Sequence, residues 1–537
     1  MMFGRVVLLT STLNVMRILS LVFVALLSTK AYPEKMAPET ESAALRFDIS
    51  SFTVEGATLL SAEEINAAVA PYVGKSKDFS DVQRAQEALE AAYARHGYSA
   101  VRVVLPEQEL ENGRIRFRVV ESRFGQIVAK GQKYFSEKSV YNALPSVRQG
   151  AAPRSAQISR ELRLANENPA RQMNVVLKAG QKEDQVDAEV QVTDQPPTAW
   201  GMTFDNSGSG ETGRTRLGIS YRNANVLNAD HVATLQAQVS PQHMDRVYVL
   251  GGGYKIPLYD SGDSVEFFGG YSNVNSVVGG LSNFQGGGEL LNVHYNHALD
   301  RIAGLDPRLI YGFDWRDFKR IEQTSPTTAV LYNEIVVTPL SLGYAVQGKG
   351  ERRLTDLGLN LSANLPMGGK GDKAAFAGYD PLGILKPDAN YRIVRYNGSY
   401  VQTVGDDWQV RAALNGQWSR NVLILGEQIR LGGMNGVRGF AEGSEAGEVG
   451  MIGNLECYTP NTTFSGVSGR GLVFVDGGSV HSRSGVRSSI TSAGVGLRAT
   501  WEQVSFRMDA GRIGKAGTDP LQKSGDWHIH AAISATF

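Results

Sequence analysis

Two stretches hold the residues of strongest chemical character. The first is GGMNGVRGFAEGSEAGEVG, residues 432–450, where one cation, Arg438, sits between Val437 and Gly439 with Phe440 beyond. The second is GRGLVFVDGG, residues 469–478, where one anion, Asp476, closes an apolar run. Read as a strand, the second sends Val473 and Val475 to one face and Phe474 and Asp476 to the other. A carboxylate on an inner face needs a cation, and Arg438 at the tip of a long loop is the candidate partner. The chemistry on offer is an ion pair that fastens a loop. Gly436 and Gly439 permit a tight turn at that tip. The competing reading makes Arg438 a turn residue on an outward loop. A wet pair is worth about 0 to 1 kcal/mol, whereas breaking a buried pair costs roughly 3 to 5 kcal/mol.

No reactive centre is legible elsewhere. GGMNGVRG is a weak glycine match lying between strands, where a dinucleotide loop would need a following helix. The eight histidines show no metal-ligand spacing; His528 and His530 share a strand face and read as lining. One cysteine, Cys457, excludes an intramolecular disulfide and Cys-based metal clusters. No catalytic residue, metal or cofactor is expected. Fifty-four acids balance 54 bases, so nothing in the net charge points to nucleic acid or an anionic membrane surface.

The elements that must position these residues fall into three regions. Arg17 precedes the apolar run ILSLVFVALL, 18–27, and small residues end at Ala31. That run is shorter than the roughly 20 residues of a spanning helix, so 1–31 reads as a signal peptide, with a retained anchor as the alternative. A short linker, 32–46, follows.

From Phe47 the elements are short. FDISSFTVEG reads as a strand, and SAEEINAAVAPYVG opens with a Ser61-x-x-Glu64 capping box. SDVQRAQEALEAAYARHGY opens with a second box at Ser80-x-x-Gln83 and sets Val82, Ala85, Leu89 and Ala92 on one face. YSAVRVVL and GRIRFRVVES alternate as strands. This β-α-α-β-β order over 47–122 repeats over 123–195: GQIVAKG, a helix from Ser136, another near 159–168, then RQMNVVLKAG and QVDAEVQVTD. A tandem repeat suggests an array, with an open strand edge able to take an extended peptide or with spacing as its only role. Pro196 and Pro197 mark a hinge.

Over 199–537 the alternation changes character. In WQVRAALNGQW, Trp408, Val410, Ala412, Leu414, Gly416 and Trp418 share a face with Trp at both ends, as on a strand spanning a bilayer between two interfaces. VSFRMDA sets Arg507 and Asp509 opposite Val504, Phe506, Met508 and Ala510, implying a wet lumen. The last strand, WHIHAAISATF, ends on Phe537. Strands of roughly 9 to 11 residues plus turns predict an antiparallel transmembrane barrel of about 16 strands.

FTVEGATLL, AYARHGYSAVRVVLPEQ, NENPARQMNVVLKAG and VDAEVQVTDQPP resemble POTRA domains of the hemolysin-activator type. DNSGSGETGRTRLG, GEQIRLGGMNGVRGF and GRGLVFVDGG resemble the matching barrel motifs. The chain is thus similar to the outer-membrane transporters of two-partner secretion, the hemolysin secretion/activation family of the BamA-like superfamily. The resemblance implies a loop near 430–449 folded into the barrel, with Val437, Arg438, Gly439 and Phe440 as its latch and Phe474 and Asp476 on the wall. It implies POTRA domains in the periplasm of a Gram-negative bacterium. Its expected partners are a secreted exoprotein with an N-terminal secretion domain, outer-membrane lipid, and the barrel assembly machinery engaging the strand that ends at Phe537. The alternative is a BamA-like assembly factor. In several members a helix ahead of the POTRA domains plugs the barrel; here only YPEKMAPETESAALR separates the expected signal peptide from Phe47, which leaves little room for a long plug helix.

Overall fold

The computed structural model describes residues 46–208, 212–244, 247–273, 287–324 and 329–537. The expected signal peptide and the linker up to residue 45 lie outside the described residues.

In the first unit Ser61 caps the helix Ala62–Val69 through the reciprocal box with Glu64. The next helix, Phe79–Arg95, starts earlier than Ser80-x-x-Gln83 predicted. Its box is Asp78 with Asp81, because charged carboxylates accept amide hydrogens more strongly than a hydroxyl and a carboxamide do. Val82, Ala85, Leu89, Ala92 and Tyr93 form its buried stripe. The chain from Phe47 is two strands broken at Ser50. Phe47–Ile49 pairs with Gly74–Lys77, a strand the sequence pattern does not reveal. Ser51–Glu55 runs parallel to Arg114–Glu121, which pairs antiparallel with Val101–Val104.

The second unit repeats the plan. Arg123–Lys130 runs parallel to Gln185–Asp194, which pairs with Arg171–Ala179. Its helices are Glu137–Asn142, capped by Ser136, and Ser155–Ala165.

The remaining chain closes into an antiparallel barrel of sixteen strands, from Thr198–Asp205 to Trp527–Thr536. Ile335–Val337 continues as Pro339–Lys349 against one neighbour, and Thr462–Phe464 extends Val449–Tyr458 in the same way. Period 2 sorts the wall. Trp408, Val410, Leu414 and Trp418 are exposed on the outside while Gln417 is buried inside, and Val473 and Val475 flank a buried Phe474. Phe537 is exposed at the end of the last strand.

Residues 194–200 do not behave as a hinge. Only Gln195, Pro196 and Pro197 separate the last strand of the second unit from the first barrel strand, and both flanks are clamped. Arg171, fully buried, donates to Asp230 in a barrel turn at 2.8 Å, stacks on Phe135 and shares Asp230 with Ser139 and Tyr259. Around this pair lie Arg163–Asp306 at 2.8 Å, Lys255–Glu167 at 2.6 Å and the Asn168 amide on the Ala224 carbonyl. Prolines end the ladder, but one buried charge pair and the half-buried pairs around it fix the second unit onto the barrel rim.

Candidate functional site: a loop inside the barrel

The connection 419–448 leaves the wall after Trp418, at the end away from the POTRA units, and turns into the lumen. Its base is fixed first. The buried Glu427 carboxylate takes Arg316 at 2.6 Å and Arg395 at 2.7 Å from two different wall strands. Beside it Leu423 and Ile424 pack with inward-facing Phe268, Leu290 and Phe318 and with Phe376 and Tyr379 of the neighbouring connection in one apolar cluster. A two-stranded hairpin, Ile429–Leu431 with Glu445–Gly447, then carries the tip downward.

The tip brings together every residue the sequence singled out. Arg438 is 2% exposed. Its Nε and Nη2 donate to the two Asp476 oxygens at 2.7 and 2.8 Å, and its own amide donates to the same carboxylate at 3.0 Å. This is the bidentate fork geometry that lysine cannot supply. The guanidinium carbon lies 3.6 Å from the Phe474 ring centroid, a cation–π stack. Val437 and Phe440 join Leu431, Ile452, Val480, Ile490 and Ile513 in a buried apolar cluster. Gly439 adopts φ +90°, and a Cβ there would lie 3.1 Å from the Gly511 carbonyl oxygen of the wall. Conversely, a Cβ on Gly511 would lie 2.7 Å from the Gly439 nitrogen. The two backbones meet where neither can bear a side chain.

Several partners escaped the sequence reading. Glu456 takes Arg438 Nη2 at 2.8 Å, and Asp509 lies 3.6 Å from Nη1. Asn454 donates to both Asp476 and the Gly436 carbonyl. Alternation in VGMIGNLECYT places Asn454 and Glu456 on the inner face and could have found them. Asp509 was placed inside, yet the lumen there is not wet: Asp476, Asp509 and Glu456 are all buried beneath the docked tip. Their charges are matched by Arg411 on Glu456 and by Arg498 and Arg507 on Asp509, leaving Arg438 as the cation of Asp476. His530 is more than lining: its Nε2 accepts the Gly439 amide. Among the described residues no group of three potential metal ligands occurs.

The POTRA sheets present a second surface. The outer edge of Val101–Val104 is already occupied, since Gln86 and Glu90 of the adjacent helix bond the Val103 carbonyl and amide. On Arg171–Ala179 the C-cap residue Asn166 does the same for Met173. Alternation from Met173 turns the backbone groups of Val175, Leu177 and Ala179 outward too, and among the described residues no partner meets them.

A closed barrel with one connection folded inward and two POTRA-type units fixed to its rim is the architecture of the POTRA–barrel class of outer-membrane proteins. The chain belongs to the haemolysin secretion/activation protein ShlB/FhaC/HecB family, which matches residues 185–499, and a ShlB-type POTRA domain matches residues 47–122. It is similar to the outer membrane transporter CdiB of Escherichia coli, 24% identical over 500 residues, 87% of this chain and 78% of that one. It is also similar to the heme/hemopexin transporter protein HuxB of Haemophilus influenzae, 21% identical over 405 residues, 71% of this chain and 66% of the relative's length. Among solved structures, CdiB from Escherichia coli superposes with a TM-score of 0.77 at 21% identity, covering 98% of this chain and 97% of that one. CdiB from Acinetobacter baumannii gives 0.69 at 14% identity, with both chains fully covered. The resemblance to two-partner secretion transporters read in the sequence therefore holds.

Proposed function

We propose that the chain translocates an unfolded exoprotein across the outer membrane, with its POTRA pair in the periplasm and the loop 419–448 as a releasable stopper of the pore. The observation that carries this reading is the docking of Arg438 on Asp476. A loop held inside a lumen at a buried ionic tip has two definable positions, docked and released. The exoprotein, bearing an N-terminal secretion domain, would add a strand to the outward groups of Val175, Leu177 and Ala179, on the POTRA strand whose first residue, Arg171, is anchored at the rim. It would then thread past the released loop and be drawn outward as it folds, without ATP. Phe537 supports a further part of the reading, as the exposed end by which the barrel assembly machinery would insert this chain.

A second reading, assembly of other barrels, has one observation in its favour. The closing strands Trp527–Thr536 and Thr198–Asp205 share five residue pairs, against fifteen between Val467–His481 and Arg487–Trp501. A disulfide between Thr203→Cys and Ser534→Cys, in a Cys457→Ser background, separates the two. Transport through the lumen leaves secretion of a co-expressed exoprotein intact when the seam is locked. Loss of other outer-membrane barrels, with secretion lost only secondarily, overturns the proposal.

A further inference from the structure

A groove of about 750 Å³ lies along the barrel wall at the rim away from the POTRA units. It faces outward. Period 2 from the exposed Val475 carries Ser479 and His481 to the outer face, and the register pairs them with Ser489 and Arg487. Thr491, two residues on, pairs with Lys515. The loop 419–448, which packs Leu431 and Val437 against inward-facing Val480, contributes no lining residue.

The groove has two chemically distinct sides. Trp418, Tyr396 and Met451 form one, at the height where aromatic side chains mark a membrane interface. His481, Arg487 and Lys515 form the other. The lining holds no aspartate or glutamate, and the Glu445 carboxylate behind it is buried and taken by the Thr518 amide and hydroxyl, so no ion pair among the described residues engages these bases. Lys515 is bonded only to the Ser489 hydroxyl, and the buried His481 Nδ1 has no hydrogen-bond partner among the described residues. Unpaired cations against lipid are costly unless an anionic headgroup meets them. Snorkelling of single side chains to any headgroup would not need a cavity of the size that holds a specific ligand.

We propose that this groove binds a phosphorylated glycolipid of the outer leaflet. A phosphate sits between Arg487 and Lys515, the serine hydroxyls meet sugar hydroxyls, and an acyl chain runs over Trp418 and Met451. The choice of leaflet rests on the orientation proposed above.

The test is native mass spectrometry of the full chain in detergent with graded bisphosphorylated lipid A, phosphatidylglycerol and phosphatidylethanolamine. Wild type is expected to retain lipid A at concentrations at least tenfold below those needed by Arg487→Gln/Lys515→Gln. It should also prefer lipid A at least tenfold over phosphatidylglycerol. An unboiled gel shift reports that the variant barrel is folded, and Arg512→Gln, which removes one exposed charge outside the groove lining, is a control that should bind as wild type. Equal binding by the double variant, or equal retention of phosphatidylglycerol, overturns the site. Labelling of Ser484→Cys, in a Cys457→Ser background, with an impermeant maleimide on whole cells tests the orientation separately. No labelling there overturns the leaflet assignment, while the detergent titration still decides the chemistry.

Discussion

Replacing Arg438 by alanine removes the only cation bonded to Asp476 among the described residues while leaving that carboxylate under the docked tip. Glu456 keeps Arg411 and Asp509 keeps Arg498 and Arg507, so the orphaned charge is Asp476, with Asn454 its one remaining side-chain donor. Removing one member of a buried pair costs roughly 3 to 5 kcal/mol. At 1.4 kcal/mol per decade the docked-to-released ratio falls about 100- to several thousand-fold. A loop docked about 99% of the time would then be released for much of the time. Asp476→Ala strands the cation instead, though Glu456 at 2.8 Å still holds it, so its effect should be smaller. The double variant removes both charges and should be less released than Arg438→Ala alone, a coupling of about 0.5 to 3 kcal/mol. Single-channel recording in planar bilayers measures this as open probability, alongside secretion of a co-expressed exoprotein. Additive effects, or wild-type gating in Arg438→Ala, would refute the reasoning, because a buried, bidentate, stacked guanidinium cannot be removed silently from a docked loop.

Gly439→Ala should also favour release, since a non-glycine residue at φ +90° is strained by roughly 1 to 2 kcal/mol and its Cβ meets the Gly511 carbonyl; the same recordings should place it between wild type and Arg438→Ala. Arg171→Ala leaves Asp230 buried beside a cavity and should loosen the second POTRA unit from the rim by roughly 3 to 5 kcal/mol. Proteinase K should then cut near 195–197 at rates the wild type resists. The Glu121 carboxyl is partly buried, which raises its pKa. Hydrogen bonds from the Thr58 hydroxyl, the Thr58 and Leu59 amides and Tyr93 outweigh this and hold it below the ordinary 4.5. The unfolded chain therefore binds the proton more readily. The stability Glu121 gives the first POTRA unit is present above pH about 4.5 and is lost as pH falls through the lowered value. Melting of the full chain between pH 7 and 3 should show this slope for wild type and not for Glu121→Gln.

Legibility in the sequence followed the range of the interactions. Period 2 is set within each strand, so the apolar face of Trp408–Trp418 and the inward turn of Asp476 could be read locally, and an isolated Arg438 among glycines pointed to the wall residue it meets. Glu456 joins the same guanidinium only because register sets Val449–Tyr458 beside Val467–His481. The Gly439–Gly511 contact and the Arg171–Asp230 pair join residues that no local pattern links. The cap at Asp78 was missed for a different reason: two adjacent candidate boxes overlap, and their relative strength, not their spacing, decides.

The loop's two ends are held by different means. At the base, Glu427 bridges two wall strands and lies against an apolar cluster that shares residues with a neighbouring connection. Freeing it would expose that cluster and break two ion pairs together. At the tip, the contacts centre on one guanidinium, two glycine backbones and a smaller cluster. A buried ion pair gains little net stability over an apolar substitute, because desolvation offsets most of the attraction. Once water enters, both charges are resolvated and the offset returns. A purely apolar tip would regain nothing on release. On the proposed function, an incoming chain that brings water and its own charges beside Asp476 therefore lowers the cost of release at the tip while the base stays seated. The hairpin Ile429–Leu431 with Glu445–Gly447, lying between the two, is where the loop must bend.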